Sequence, residues 1–535
     1  MKKIYLSFFL VLLPLFVSAD PVEIDGIYYN LVKKIKEAEV TSKPYGYSGD
    51  VVIPSTIMHD GVTYNVTSIG GGAFYETTGS IGLSSVIIPE GVKSIGEEAF
   101  CGCEGLSSIT IPKSLADVGK DAFIYCYNIQ KVFISDLEAW FDIDFESASS
   151  NPLFYQGGND SNNHLYLNNV EILDLIIPNI ITEIKKYTFC GASNITSITF
   201  HKNIKSIGEF AFANFRNLSS VNISDLSAWM NIKFTDLGSN PLTSYFVNSN
   251  HKLYLNGEEI RNLVIPNDVT QIGDYVFAGC CGFSSVNIPS SVNNIGRGAF
   301  MGCYGLTSIT IPDDVTNIGE RAFQDCIGLK QANIPTNLIS IEEGVWAGCK
   351  SLEKVEIPTS VTAIGNCAFD GCENVTSVII SNSVISIGDC AFQNCSNLET
   401  ITIGSGIKKI GERYNVYFSP GGYVFSNCPE IKDVYCLAES VPETQLNTFL
   451  DSYIEYATLH VPEGSVDAYK AAAPWSSFKN IVAIDATDIK SLEGTATAPS
   501  DVYDQSGRKV LTNMTSLEGL PNGVYIVKGK KILKK

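Results

Sequence analysis

The sequence predicts a repeat solenoid: stacked coils with a 23-residue period, about twelve of them, mainly β with short turns or helices, and a small all-β unit at the C-terminus. Two observations predict it. Phe277, Phe300, Phe323, Trp346, Phe369 and Phe392 lie 23 residues apart, and so do Pro266, Pro289, Pro312, Pro335 and Pro358. Within each period a short alternating stretch recurs, such as Ser308-Ile309-Thr310-Ile311, which reads as a strand with one buried face. Such a unit cannot bury its apolar side alone and does so by stacking on its neighbours.

In chain order, Lys2 and Lys3, the apolar run from Ile4 to Val17, and Val17-Ser18-Ala19 before Asp20 read as a secretory signal over residues 1–19, cleaved near Ala19. The run is short for a membrane span, and no later apolar stretch approaches 18 residues. The mature chain is expected to be secreted or held on the outer membrane exterior by something other than a transmembrane helix. Residues 20–65 carry Gly26-Ile27-Tyr28-Tyr29-Asn30 and Asp50-Val51-Val52-Ile53-Pro54, strand-like pieces that would cap the open end of a solenoid.

Residues 66–430 are the solenoid. One coil shows its logic: Leu306, Ile309, Ile311, Val315, Ile318, Ala322, Phe323 and Cys326 are its inward set. Pro312 stops the strand, Asp313-Asp314 turns the chain, and Gly319 occupies a turn that a Cβ would hinder. With Phe74, Phe100, Phe123, Phe189, Phe212 and Phe425 the ring position recurs twelve times. The strands at Ile288, Ile311, Ile334 and Ile357 are expected in one parallel sheet, with the rings in one internal column. The pattern I-P-x-x-V-x-x-I-G-x-x-A-F-x-x-C-x-x-L-x-S-I resembles the BspA-like (Treponema pallidum type) leucine-rich repeats of bacterial surface proteins. The chain departs from it at Lys185 and Glu342, which replace the turn glycine, at Trp346, and at 412–421, where one coil lengthens.

Two longer departures copy each other. Ser135-Asp136-Leu137-Glu138-Ala139-Trp140 is echoed by Ser224-Asp225-Leu226-Ser227-Ala228-Trp229, giving insertions at about 135–175 and 224–262. They read as excursions of the coil anchored by a buried Trp, or as binding loops on one face. Residues 431–482 break the repeat and read as a C-terminal cap, with a strand at Ala457-Thr458-Leu459-His460-Val461-Pro462 and a short helix from Ser465. Residues 483–500 read as a linker and 501–535 as a β-rich tail. Tyr503-Asp504-Gln505-Ser506-Gly507-Arg508-Lys509-Val510, Gly523-Val524-Tyr525-Ile526-Val527 and the terminal Lys534-Lys535 are similar to the C-terminal sorting segment of the type IX secretion system of Bacteroidota, which implies export and surface attachment.

No residue pattern points to catalysis, a metal or a cofactor. Nine of the fifteen cysteines share one coil position: Cys103, Cys126, Cys280, Cys303, Cys326, Cys349, Cys372, Cys395 and Cys428. Stacked equivalents have parallel Cβ vectors, so they are expected buried and unbridged; Ala192 and Phe215 at the same position agree with packing. The five histidines are scattered. Asp142, Asp144 and Glu146 could in principle serve acid–base hydrolysis of a glycan, but the second insertion has Asn231, Lys233 and Thr235 in their place. The formal charge of −20 argues against nucleic-acid binding.

The candidate interaction surface is therefore the outward side of the strand ladder: Ser285, Asn287, Ser308, Thr310, Gln331, Asn333, Lys354, Glu356, Ser377, Thr400 and Thr402, with Ile379 among them. The resemblance implies adhesion to host extracellular proteins, other bacteria or surface glycans. A glycan-acting enzyme using the insertions and a passive surface-layer spacer are the alternatives.

Overall fold

The computed structural model describes residues 20–76, 82–154, 163–243, 251–411 and 421–484, together with the strands Ser500–Asp504, Lys509–Met514, Gly523–Val527 and Lys530–Lys534. The stretches read from sequence as a leader, most of the linker and the lengthened coil at 412–420 lie outside the described residues. The protein is a β-solenoid of stacked coils, and it divides into two compact units at 258/259.

Each coil contributes three features, and each follows from its residues. A strand of two to four residues alternates inward and outward; in Ser308–Thr310, Ile309 is buried between two exposed neighbours. The following Pro-x-x-Val segment closes a tight turn, with Val315 N–H donating to Pro312 O at 3.1 Å. A two-residue strand such as Asn317–Ile318 then forms a second ladder. The glycine after it is required by close approach rather than by its backbone angle. A Cβ on Gly319 would lie 2.6 Å from the Arg297 nitrogen of the preceding coil, and one on Gly388 would lie 2.5 Å from Asn366 N. The chain then turns and drops an aromatic ring inward, where Phe323 N–H donates to Val345 O of the next coil at 2.9 Å.

In the first unit Phe74, Phe100 and Phe123 stack with centroids 4.8 and 5.0 Å apart and planes within 7° of parallel. Tyr47 from the N-terminal segment lies 4.5 Å from Phe74 and closes that end of the column. Two larger parallel sheets follow each other. One runs through Gly49–Val52, Leu83–Ile87, Ser108–Ile111, Lys131–Ile134 and His164–Leu167; the other runs through Asp174–Ile176, Ser197–Phe200, Ser220–Ile223 and Lys252–Leu255.

The segments expected as insertions are enlarged coils. Asp144–Phe145 extends the small ladder by pairing with Asp117–Val118, and His164–Leu167 extends the large one by pairing with Lys131–Ile134. The second copy does the same through Lys233–Phe234 and Lys252–Leu255. The repeated tryptophans sit on the short helices Leu137–Asp142 and Leu226–Met230, each N-capped by an Asp side chain, and both indoles are buried. Trp140 Nε1–H donates to Thr188 O at 3.0 Å, so its polar edge is satisfied inside.

In the second unit the ring column runs Phe277, Phe300, Phe323, Trp346, Phe369, Phe392, Phe425 and on to Phe449, which lies outside the 23-residue pattern. Trp475, fully buried, meets Phe449 edge-on at 5.5 Å and closes it. One correction concerns the sheet. The strands Ser285–Asn287, Ser308–Thr310 and Gln331–Ala332 pair in parallel, but Val355–Glu356 begins a different sheet. The small ladder is interrupted one step earlier, between Asn317–Ile318 and Ser340–Ile341, on the other side of the same coil. That coil carries Glu342 where its neighbours have glycine, and its Cβ forbids the close approach that Gly319 and Gly365 make. It also carries Ala332 where other coils have Val or Ile, and Ile334 is only half-buried.

The cysteine position is a ladder of its own. All nine thiols are free and buried. In eight of them Sγ–H donates to the carbonyl of the column aromatic one coil earlier, from Cys103 on Phe74 O to Cys428 on Phe392 O, at 3.0–3.4 Å. Packing explains their burial, and this bond explains why the position favours a thiol over a methyl group. Burial pushes the Cys326 thiol up to about 12, which keeps it protonated.

Candidate functional site

The outward face of the second unit has two columns, because alternate residues of a strand point the same way and the coils are in parallel register. One column runs Ser285, Ser308 and Gln331 in one sheet, then Ser377, Thr400 and Asp433 in the next. The other runs Asn287 and Thr310, then Glu356, Ile379, Thr402 and Tyr435. Asn287, Ser308, Thr310, Gln331, Lys354 and Glu356 are exposed; Ser285, Ser377 and Thr400 are half-buried. The Lys354 and Glu356 side chains form a surface ion pair with each other.

Two of the expected surface residues serve the fold instead. Asn333 accepts from Ile311 N–H at 2.8 Å and donates to Ile311 O at 2.7 Å. Its carboxamide oxygen stands where a main-chain oxygen bonds the equivalent N–H in other coils, as Ile379 O does for Ile357 N–H two coils later. Thr402 is 6% exposed, enclosed between Ile379 and Tyr435 on the neighbouring strands, and offers little to a partner.

The same face continues where the repeat pattern does not. Asp433–Cys436, Thr458–Pro462 and Asn480–Ile484 add three parallel strands. Their outward side chains are more aromatic. Tyr435 and His460 stack with centroids 4.2 Å apart, and His460 Nε2 lies 2.8 Å from Asp433 Oδ1. The alternation of Asp433-Val434-Tyr435-Cys436 and Thr458-Leu459-His460-Val461 is the signal that places them on the ladder.

Other candidate chemistry is dispersed. Asp142, Asp144 and Glu146 are exposed, and Glu146 Oε2 accepts the Lys120 main-chain N–H at 2.9 Å. His251 is buried with Nδ1 2.8 Å from Leu242 O, and burial holds its pKa down. Among the described residues no cluster of three or more His, Cys, Asp or Glu side chains could hold a metal ion, and no helix is long and apolar enough to cross a membrane.

Several solved structures are similar to this chain. A leucine-rich repeat protein from Bacteroides ovatus is 22% identical over 87% of this chain and 100% of that one, with a TM-score of 0.46. A leucine-rich cell surface protein from Faecalibacterium prausnitzii is 22% identical over 74% and 96%, with a TM-score of 0.43. A leucine-rich repeat protein from Eubacterium ventriosum is 21% identical over 74% and 95%, with a TM-score of 0.42. No curated protein matches the chain. The BspA type leucine-rich repeat region matches residues 62–150, 161–252, 248–376 and 343–469, most of the chain and nearly all of the coils described above. On that match the chain belongs to the BspA-type leucine-rich repeat family.

Proposed function

We propose that the chain is an exported, surface-held protein of a Bacteroidota bacterium that mediates adhesion, binding host extracellular proteins, other bacteria or surface glycans. In this reading residues 1–19 are its leader, 20–65 and 431–482 its caps, 483–500 a linker, and 501–535 a type IX sorting-like tail. The observation that carries the reading is the outward strand face: Asn287, Ser308, Thr310 and Gln331 are presented on successive coils of one sheet, and Glu356 begins the next. Such a face suits a large partner met by many weak hydrogen bonds, so that display of many copies supplies avidity. The acidic net charge disfavours polyanions. The family is one of repeat proteins rather than enzymes, and Asp142, Asp144 and Glu146 are all exposed.

The test is adhesion of cells displaying the full chain to immobilised matrix proteins, bacterial cells and glycans. Asn287, Thr310 and Glu356 replaced together by Arg should abolish it while the melting curve is unchanged. Asn333 is left alone because it holds the Ile311 backbone. Undiminished adhesion by that triple variant removes the strand face as the site, and absence of any saturable partner leaves the spacer reading.

A further inference from the structure

A groove of about 680 Å³ lies on the second unit, built from the turns that follow the ring column and not from the strand face. Its floor repeats one position, two residues after each column aromatic: Asp325, Gly348, Gly371, Asn394, Asn427 and Asp451. All six have positive φ, between 54° and 71°, a conformation that Gly, Asn and Asp tolerate best. The turn geometry therefore favours bare backbone or short carboxyl and carboxamide groups on this floor. Gly348 makes room for its neighbour, since a Cβ there would lie 2.2 Å from Asp325 Oδ1.

The polar groups are oriented. Gln324 Nε2 donates to Asp325 Oδ2 at 3.2 Å, Asn394 Nδ2 to Asp370 Oδ1 at 2.9 Å, and Asn427 Nδ2 to Asn394 Oδ1 at 3.0 Å. Lys350 is paired with Glu373 at 2.8 Å. Each of these amides gives one N–H to a neighbour and keeps a second, so the groove offers amide donors beside acceptor oxygen, Asp325 Oδ1 and Asp370 Oδ2 above all. Both carboxyls are half-buried, and burial raises their pKa. The floor's main chain is already occupied: Asp325, Gly348, Gly371, Asn394 and Asn427 each donate N–H to the next coil, at 2.7–3.0 Å. A peptide adding as a strand would find no free ladder here. Tyr453, itself at φ 47° and 55% exposed, holds its ring at one end of the groove.

We propose that this groove binds an uncharged oligosaccharide lengthwise, its hydroxyls donating to Asp325, Asp370 and Asp451 and a pyranose face stacking on Tyr453. A hydroxyl-rich chain both donates to the carboxyls and accepts from the remaining amide N–H groups, its apolar ring faces suit the exposed ring of Tyr453, and absence of negative charge avoids the carboxylates. Coil spacing of about 4.8 Å makes the floor roughly 24 Å long, the reach of a short extended chain. The site is separate from the strand face, so groove variants and strand-face variants report on the two readings separately.

The test is calorimetric titration of the full chain with neutral hexasaccharides of β-1,4-glucose, β-1,3-glucose and α-1,6-mannose, and with an oligolysine peptide. At least one hexasaccharide should bind. Asp370→Asn and Tyr453→Ala should each weaken it about tenfold, and Asn287→Arg on the strand face should not. Tyr453 is exposed, so its truncation leaves the core intact, and a melting curve for each variant confirms folding. No heat from any hexasaccharide up to about 10 mM, or binding indifferent to both groove variants, overturns the proposal. Oligolysine binding that depends on Asp370 while the sugars do not bind replaces it with a cationic-peptide groove.

Discussion

The indole of Trp346 lies 6.1 Å from the ring of Phe323, the widest step between successive rings in the second unit's column, where the other steps are 5.2–5.7 Å. The widening falls at the step where the small ladder is interrupted and where Glu342 replaces glycine; the large ladder is intact at that step and breaks one coil later. One steric cause accounts for the widening and the small-ladder break, because a Cβ at 342 keeps its coil from the coil of Gly319. Glu342→Gly should therefore let Ser340–Ile341 pair with Asn317–Ile318. Hydrogen-exchange protection of the amides at 340–342 should rise, even though glycine costs about 0.5–1 kcal/mol of backbone entropy. Unchanged exchange would place the cause elsewhere.

The reverse substitution is costlier. Gly319→Ala drives a methyl group to 2.6 Å from Arg297 N, a main-chain atom that cannot rotate away. Overpacking of this kind costs about 1–3 kcal/mol, read as a lower urea midpoint. Gly464, whose Cβ meets nothing within 4 Å, is the control: its alanine variant should melt like the parent.

Phe323→Ala removes a fully buried ring stacked 5.5 Å from Phe300 and should cost about 3–5 kcal/mol. Because each coil contacts mainly its neighbours, loss of protection should be greatest in the adjacent coils and fade along the column. A uniform loss over the whole unit would mean that it unfolds as a single block.

Thiol chemistry separates the cysteines into two classes. The column thiols are buried and bonded to carbonyls, so at pH 8 they should resist iodoacetamide in the folded protein. Cys367 and Cys390 are half-buried, 23 residues apart on adjacent coils, and in hydrogen-bonding contact. The bond from Cys390 lowers the Cys367 thiol, which favours the reactive thiolate. Peptide mapping should find Cys367 alkylated well before Cys349 or Cys372. Early labelling of those two would contradict the burial described here.

The period, the strand, the Pro turn and the ring column were legible because each coil must solve the same burial problem with the same residue types. Glu342 and Trp346 were visible as departures, but what they do to the ladder depends on a sub-3 Å approach between coils that no single coil encodes. The paired Trp segments read as insertions because their spacing departs from 23. In three dimensions they still supply one strand to each ladder, since pairing needs an alternating stretch and not a fixed spacing. Asn333 looked like its exposed neighbours, and its two bonds to the Ile311 main chain arise only once the coils are stacked. The groove was not legible at all: its floor is a column of Gly, Asn and Asp that reads as turn chemistry until the coils are stacked.

The last prediction joins stability to that groove. Burial raises the carboxyls of Asp325 and Asp370 above the ordinary value of 3.8. A raised folded-state pKa means the folded chain holds the proton more tightly than the unfolded chain does. The stabilising contribution is therefore complete below pH 3.8 and is lost as pH rises through the raised values. Gln324 and Lys350 oppose the shift at Asp325, and Asn394 opposes it at Asp370, without reversing either. Asp370→Asn keeps the shape and cannot ionise, so at pH 7 the variant should melt higher than the parent, and the difference should vanish near pH 3.5. A variant less stable at pH 7 would show that the Asn394 bond outweighs burial. If the variant is more stable and also binds the hexasaccharide less well, Asp370 is a residue whose ionisation the fold tolerates and the ligand uses.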